Sequence, residues 1–303
     1  MKTFKQPITL AIASIFWFAQ SGENFAAERS ASAGHNTRGT ELAQAKQYDA
    51  AIAEFTKAIE ANPKDPLGYT NRGSAYRDSG RLPEAQADFT KAIEIAPDDE
   101  LAYRERGNAL RMQNDFDGAL ADFEKAAQLK PDDPAINQYR GFAWIGKQEW
   151  EKAIADFDIA IQKKPDEQLN YAERALAKRS LRRFDEAIAD YTTALEKNSN
   201  YQPNYARRGY TYALMQDYEK AIADYQQALK LKPDDYDTVQ RLQYAQSMLA
   251  AKNAPSPTPT PKESAGLITP LNVGIALALI IVIAVVGRLL TRGKEEPTSS
   301  RIR

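Results

Sequence analysis

The sequence is written in a period of 34 residues. Pro63, Pro97, Pro131, Pro165 and Pro233 stand 34 residues apart, the last after a double step with Ser199 in the skipped slot. Ala51, Ala85, Ala119, Ala153, Ala187 and Ala221 keep the same step. So do Ala58, Ala92, Ala126, Ala160, Ala194 and Ala228 seven residues behind. Between the two series lies an aromatic: Phe55, Phe89, Phe123, Phe157, Tyr191 and Tyr225. Several columns in register over six copies mean one supersecondary unit stacked on itself.

The third copy shows the physics of one unit. Asp99 caps a first helix through "ELAYRERGNALRMQ", whose apolar stripe is Tyr103, Gly107 and Leu110. "NDFDG" turns the chain, with Asn114 and Asp115 as turn residues. A second helix, "GALADFEKAAQLK", carries Ala119, Phe123 and Ala126 on one face. Pro131 stops it, and Asp132-Asp133 caps the next copy. Pro66 and Pro134 fall in a first helical turn, where no N–H is needed.

These residues resemble the tetratricopeptide repeat. In the third copy Tyr103, Arg106, Gly107, Leu110, Ala119, Phe123, Ala126 and Pro131 occupy its eight signature positions. Only Arg106 departs clearly, standing where a large apolar residue is usual. The first copy is weaker, with His35 and Leu42 at aromatic slots. The fifth has Ala175, Lys178 and Ser199 in place of the glycine, the large residue and the proline. The resemblance implies an all-α, right-handed solenoid of six helix pairs: 32–65, 66–99, 100–133, 134–167, 168–201 and 202–235. A closing helix over 236–251, with Val239, Leu242, Ala245 and Leu249, covers the last exposed face. By the same resemblance the first helices line a concave face that binds a peptide or partner protein and carries no reaction.

Arg106 is one of six arginines in step: Arg38, Arg72, Arg106, Arg140, Arg174 and Arg208. Sixteen residues after each comes an acid: Glu54, Asp88, Asp122, Asp156, Asp190 and Asp224. A partly buried guanidinium needs a counter-charge, so the series reads as ion pairs between helices. The competing reading is a ladder of arginines for an anionic partner.

The concave face draws on first-helix positions that the core does not claim. In copies two and three these are Asn71, Ser74, Arg77, Arg104, Asn108 and Arg111. In copies four to six they are Tyr139, Phe142, Ile145, Leu176, Tyr210 and Leu214. The groove is then basic and polar at one end, apolar and aromatic at the other, and suits a segment with an acidic and a hydrophobic part. The other placement packs some aromatics under neighbouring helices. Arg104 and Asn108 echo the first part of the family's clamp for C-terminal carboxylates. Tyr139, Leu169 and Glu173 do not supply the rest, which disfavours binding of chaperone tails.

Two apolar segments flank the repeats. Lys2 and Lys5 precede an uncharged run over 8–19, the pattern of a secretory signal in 1–21. Ala19-Gln20-Ser21 offers a cleavage site, Ala31-Ser32-Ala33 a later one, and an uncleaved short anchor is the alternative. After "APSPTPTPKESAG", in a Pro/Thr-rich spacer over 252–266, the stretch 267–290 is long and apolar enough for a single transmembrane helix. Arg288, Arg292 and Lys294 follow the uncharged run 271–287 at once and put the tail 291–303 in the cytoplasm, the repeats outside. No N-x-S/T sequon is present, which suits a bacterial envelope protein.

Composition narrows the function classes. There is no cysteine and a single histidine, so disulfides, thiolate metal sites and multi-histidine sites are excluded. The net charge of −1 argues against nucleic acid. No phosphate loop, nucleophile elbow or metal-ligand set occurs, so neither catalysis, a cofactor, a metal nor a small-molecule substrate is expected. The expectation is a membrane-tethered scaffold for protein–protein interaction. The alternative is a chaperone-like assembly or export factor for envelope proteins.

Overall fold

The structure is a computed structural model that describes residues 29–254. The signal over 1–21 and the apolar stretch 267–290 lie outside the described residues. Among the described residues there are only helices, and none is long and apolar enough to cross a membrane. They run as α1 (29–44), α2 (Tyr48–Ala61), α3 (Pro66–Asp78), α4 (Leu82–Ile95), α5 (Glu100–Met112), α6 (Phe116–Leu129) and α7 (Pro134–Gly146). Then follow α8 (Trp150–Lys163), α9 (Gln168–Ser180), α10 (Phe184–Lys197), α11 (Gln202–Leu214), α12 (Tyr218–Leu231) and α13 (Tyr236–Asn253). The second cleavage candidate, Ala31-Ser32-Ala33, falls inside α1 with Ser32 buried, so a peptidase would have to unwind the helix to reach it.

Each unit is an antiparallel pair held by a repeated side-chain fit. Ala119, Phe123 and Ala126 of α6 are fully buried, and Phe123 fills the space opposite Gly107 of α5. A Cβ on Gly107 would stand 2.8 Å from the Phe123 ring and 3.1 Å from the Ala119 carbonyl oxygen. The helix pair closes to this distance only because that side chain is missing.

Caps and turns repeat as well. Asp65, Asp99 and Asp133 accept from the backbone N–H two residues on and so start α3, α5 and α7. Between α5 and α6, Asn114 adopts φ 64° and Asp115 N donates to Leu110 O at 2.9 Å, the Schellman ending of a helix. Lys46, Gly80, Gln148, Arg182 and Gln216 do the same in the other units, so a left-handed residue recurs every 34 positions. Only Gly80 and Asn114 are residue types that favour it.

Stacking between units decides where a partner has room. Successive first helices touch: α3 meets α5, α5 meets α7, α7 meets α9 and α9 meets α11. Among the described residues successive second helices do not. The first helices therefore lie on the inside of the curve. At the C-terminal end Leu242, Ala245, Met248 and Leu249 of α13 pack on Tyr218, Ala221 and Tyr225 of α12. Tyr236 and Tyr244 remain exposed.

Candidate partner-binding face

Arginines dominate the first helices, and the structure divides them into two sets. The first faces the second helices. Arg106 Nε and Nη2 donate to the two carboxylate oxygens of Asp122, both at 2.7 Å. Arg72 holds Asp88 in the same fork (2.7 and 2.8 Å), and Arg208 holds Asp224 (2.9 and 2.8 Å). Arg140 binds Asp156 and Arg174 binds Asp190 with the same pair of nitrogens. The aspartates are buried. In Arg72, Arg106, Arg140 and Arg208 the hydrogen bond to the aspartate raises the guanidinium pKa by more than burial lowers it.

The third nitrogen reaches backwards. Arg106 Nη1 donates to Thr90 Oγ1 at 3.2 Å, Arg72 Nη1 to Thr56 at 3.1 Å and Arg208 Nη1 to Thr192 at 2.9 Å. Each of these hydroxyls donates its own proton to the carbonyl one turn back, which leaves its lone pairs for the guanidinium. Arg174 uses Asp158 in the same slot. One arginine thus ties its own second helix to that of the preceding unit. Thr56, Thr90, Glu124, Asp158 and Thr192 keep the 34-residue step. That period was the available signal for these partners, and sequence reasoning passed over it.

The first copy departs. Arg38 is exposed and pairs with Glu41, three residues on, at 3.1 Å. Glu54 goes instead to His35 Nδ1 at 2.7 Å and to Lys57 at 2.6 Å. These two bonds, Lys57 first, hold the Glu54 carboxyl below the usual carboxylate range. Six-for-six pairing therefore becomes five of six. The longer glutamate and the lysine one turn along settle the acid elsewhere. In the fifth copy Lys178 is buried in the apolar slot and shares Asp190 with Arg174, at 2.8 Å.

The second set faces the inside of the curve. Arg77 pairs with Glu105 of the next first helix and with Asp78 at 2.9 Å. Arg104 sits among Glu100 (3.2 Å), Glu105 (3.3 Å) and Asp133. Arg207 pairs with Glu173 at 2.7 Å. The basic end expected from Arg77 and Arg104 is therefore neutralised within the chain. Asn71 is also engaged, donating to Asn36 Oδ1 at 3.1 Å, while Ser74 stays half-buried on α3.

The apolar end is also corrected. Tyr139 stacks on Phe123 at 6.1 Å between ring centroids and belongs to that core. Phe142 meets Phe157 edge-on at 5.6 Å, and Ile145 packs beside it. Burial of a ring against its neighbour outweighs its display on the concave face. Tyr210 lies against Tyr218 and Tyr225, with Arg179 and Arg241 over its ring at 5.1 and 4.7 Å. Leu176 and Tyr210 line a cleft of about 430 Å³ between α9, α11 and α13, with Arg179, Arg207 and Asp235. Leu214 stays 43% exposed. Leu67 and Leu101, exposed at 49% and 37% on α3 and α5, are apolar positions that sequence reasoning did not include; their own 34-residue spacing pointed to them.

Asn108 and Arg111 differ from the rest. Asn108 Oδ1 accepts from Arg111 Nη2 at 2.8 Å and Nε at 3.2 Å. The Arg111 guanidinium stands 5.4 Å over the Phe142 ring. Burial pushes its pKa below the usual arginine value, and only the Tyr139 phenol acts the other way. No metal-binding group of acids and histidine occurs among the described residues.

Comparison with known proteins places this geometry. The tetratricopeptide-repeat family model matches residues 36–100, 70–134 and 104–168, and a second model of the same repeat matches 205–235. Together they cover more than half of the chain.

This chain belongs to the tetratricopeptide-repeat family.

The matched residues skip the fifth copy, where Ala175, Lys178 and Ser199 depart from the pattern, yet α9 and α10 form the same pair there. Among solved structures the chain is similar to one from the APC/C hetero-tetramer Cut9–Hcn1, with TM-score 0.63 and 18% identity. That match covers 71% of this chain and 42% of the other. It is also similar to Pseudomonas aeruginosa pilF, with TM-score 0.63 and 15% identity over 73% of this chain and 99% of pilF. YrrB, a tetratricopeptide-repeat protein with an unusual peptide-binding site, gives TM-score 0.51 and 22% identity over 64% of this chain and 97% of YrrB. At these identities the likeness is one of fold. A search of curated protein sequences gives no match.

Proposed function

We propose that this chain is a protein-interaction scaffold whose concave face holds an extended segment of a partner protein. The observation that carries the reading is the inward placement of the first helices. Ser74, Asn108, Arg111, Leu176 and Leu214 all stand on first helices, while the second helices spend their aromatics on the core. The reaction-free character follows from what the repeat resemblance implies and from the lack of any catalytic motif in the sequence.

The same proposal puts the repeats on the extracytoplasmic side of a cell membrane, tethered through 267–290. Its support is the sequence: a positive and then apolar N-terminus, a long apolar C-terminal stretch, and basic residues directly after it. The chaperone-like reading drew on an apolar groove end. Packing of Tyr139, Phe142 and Ile145 in the core reduces that end to Leu176, Leu214 and their neighbours, so the scaffold is preferred.

Photo-crosslinking in the native cell tests the reading. A benzoylphenylalanine at Ser74 should give a discrete partner adduct, and one at the exposed Lys125 of α6 should not. Adducts from Lys125 alone would move binding to the outer face. Protease added to spheroplasts should digest the repeats; full protection would reverse the topology.

A further inference from the structure

One concave arginine sets the standard for the others. Arg77 finds its acid, Glu105, 28 residues on, one unit later and on the neighbouring first helix. The corresponding slot for Arg111 holds Tyr139, and the slot for Arg179 holds Arg207. Arg179 nevertheless shares its cleft with Asp235 and Asp237. Arg182, also without a carboxylate, is exposed at a turn and solvated. Arg111 alone combines burial with no carboxylate partner among the described residues.

That arrangement is costly in the free protein. Water is partly stripped from a fixed positive charge, and the only compensation is one amide oxygen and a ring face. Around it stand donors without acceptors. Arg111 Nη1 and Asn108 Nδ2 make no hydrogen bond among the described residues, although Asn108 is 7% exposed. Asn108 Oδ1 is already committed to Arg111, which fixes the amide with its NH2 as the free end. The Tyr139 ring is held by Phe123, and its phenol lies within electrostatic reach of the guanidinium.

Resting on the concave-face reading above, we propose that Arg111, Asn108 and Tyr139 form the subsite for one carboxylate side chain, a Glu or Asp, of the bound partner segment. The partner supplies the counter-charge that Tyr139, 28 residues on, does not. One guanidinium matches one carboxylate in charge, and a guanidinium edge with a nearby amide matches its two oxygens. A phosphoryl group, with nearly twice the charge, would be left undercompensated.

Peptide selection on the full 303-residue chain in detergent gives the test. Random peptides, displayed without a free C-terminal carboxylate, should enrich an acidic residue at one register. An acetylated and amidated winner should bind about tenfold more tightly than its Glu→Gln twin. Arg111→Gln should erase that difference while changing affinity for the Gln twin less than twofold. Tyr139→Phe, which keeps the stacked ring, should shrink it, and this variant serves should Arg111→Gln fail to fold. Peptides that bind with no acidic register, a Glu/Gln difference that survives in both variants, or a phosphoserine twin that binds more tightly than Glu would each overturn the subsite and leave the groove reading standing. No enrichment from any library would sink both.

Discussion

Arg106 and Arg111 lie five residues apart on α5 and point to different sides of it. Towards the second helices, Arg106 is fully satisfied: two bonds to Asp122, one to Thr90 and a tyrosine face 5.7 Å away. Towards the inside of the curve, Arg111 has one amide oxygen and a phenyl ring. The same side chain in the same helix is structural on one face and uncommitted on the other. The difference is whether the repeat supplies an acid at the right distance. Where it does, charge stabilises the stack; where it does not, charge is left over for a partner.

The comparison breaks first at Asp122. Asp122→Ala leaves Arg106 half-buried and unpaired and should cost about 3 kcal/mol in chemical denaturation. Replacing both Arg106 and Asp122 by leucine should cost clearly less. A loss below about 1 kcal/mol for the single change would make the pair an ornament.

Next in size is an alkaline effect, from a buried polar group with no partner. The Tyr191 hydroxyl makes no hydrogen bond, and burial pushes its pKa up to about 12 from 10.0. The unfolded chain ionises first, so stability is intact below about pH 10 and falls as pH rises towards 12. The loss should reach about 2 kcal/mol by the top of that window. Tyr191→Phe should flatten this stretch of the stability–pH curve and cost nothing at neutral pH. An unchanged curve would place the alkaline sensitivity elsewhere, Tyr225 being the next group, raised to about 12 by the same cause.

Smaller again is the backward bond. Thr90→Val keeps the shape and removes the acceptor of Arg106 Nη1, for an expected loss of about 1 kcal/mol. Equal stability of the two proteins would show that the unit-to-unit tie carries no energy.

Smallest is the contrast between Arg111→Gln and Arg38→Gln. Both should change stability by less than about 0.5 kcal/mol, the first because no pair is lost, the second because its pair is solvated. A large loss on Arg111→Gln would mean that the side chain already has a structural task.

Much of the fold was legible in sequence because a 34-residue unit writes its contacts repeatedly. Gly107 against Phe123, the caps Asp99 and Asp133, and Arg106 with Asp122 all lie within one unit or at its edge. The concave face was read less well. Asn71, Ser74 and Arg111 lie off the packed apolar clusters and are half-buried, while Asn108 is buried. Tyr139, Phe142 and Ile145 pack against those clusters, because a ring at a first-helix position can turn towards a second helix, Tyr139 to Phe123 of the preceding unit and Phe142 to Phe157 of its own. The first-copy pair failed because Glu54 has nearer cations than Arg38.

The unit, its number and five of its six internal charge pairs could be read from sequence, since these are local contacts that recur at one spacing. Only the tertiary structure decided which charges on the inner face cancel. Arg77 with Glu105 and Arg207 with Glu173 join different units, Arg104 reaches Asp133 at the cap of the next unit's first helix, and their distances depend on how far one unit rotates on the next. No repeat spacing encodes that rotation. It leaves Arg111 beside Tyr139, with its charge unanswered by the chain.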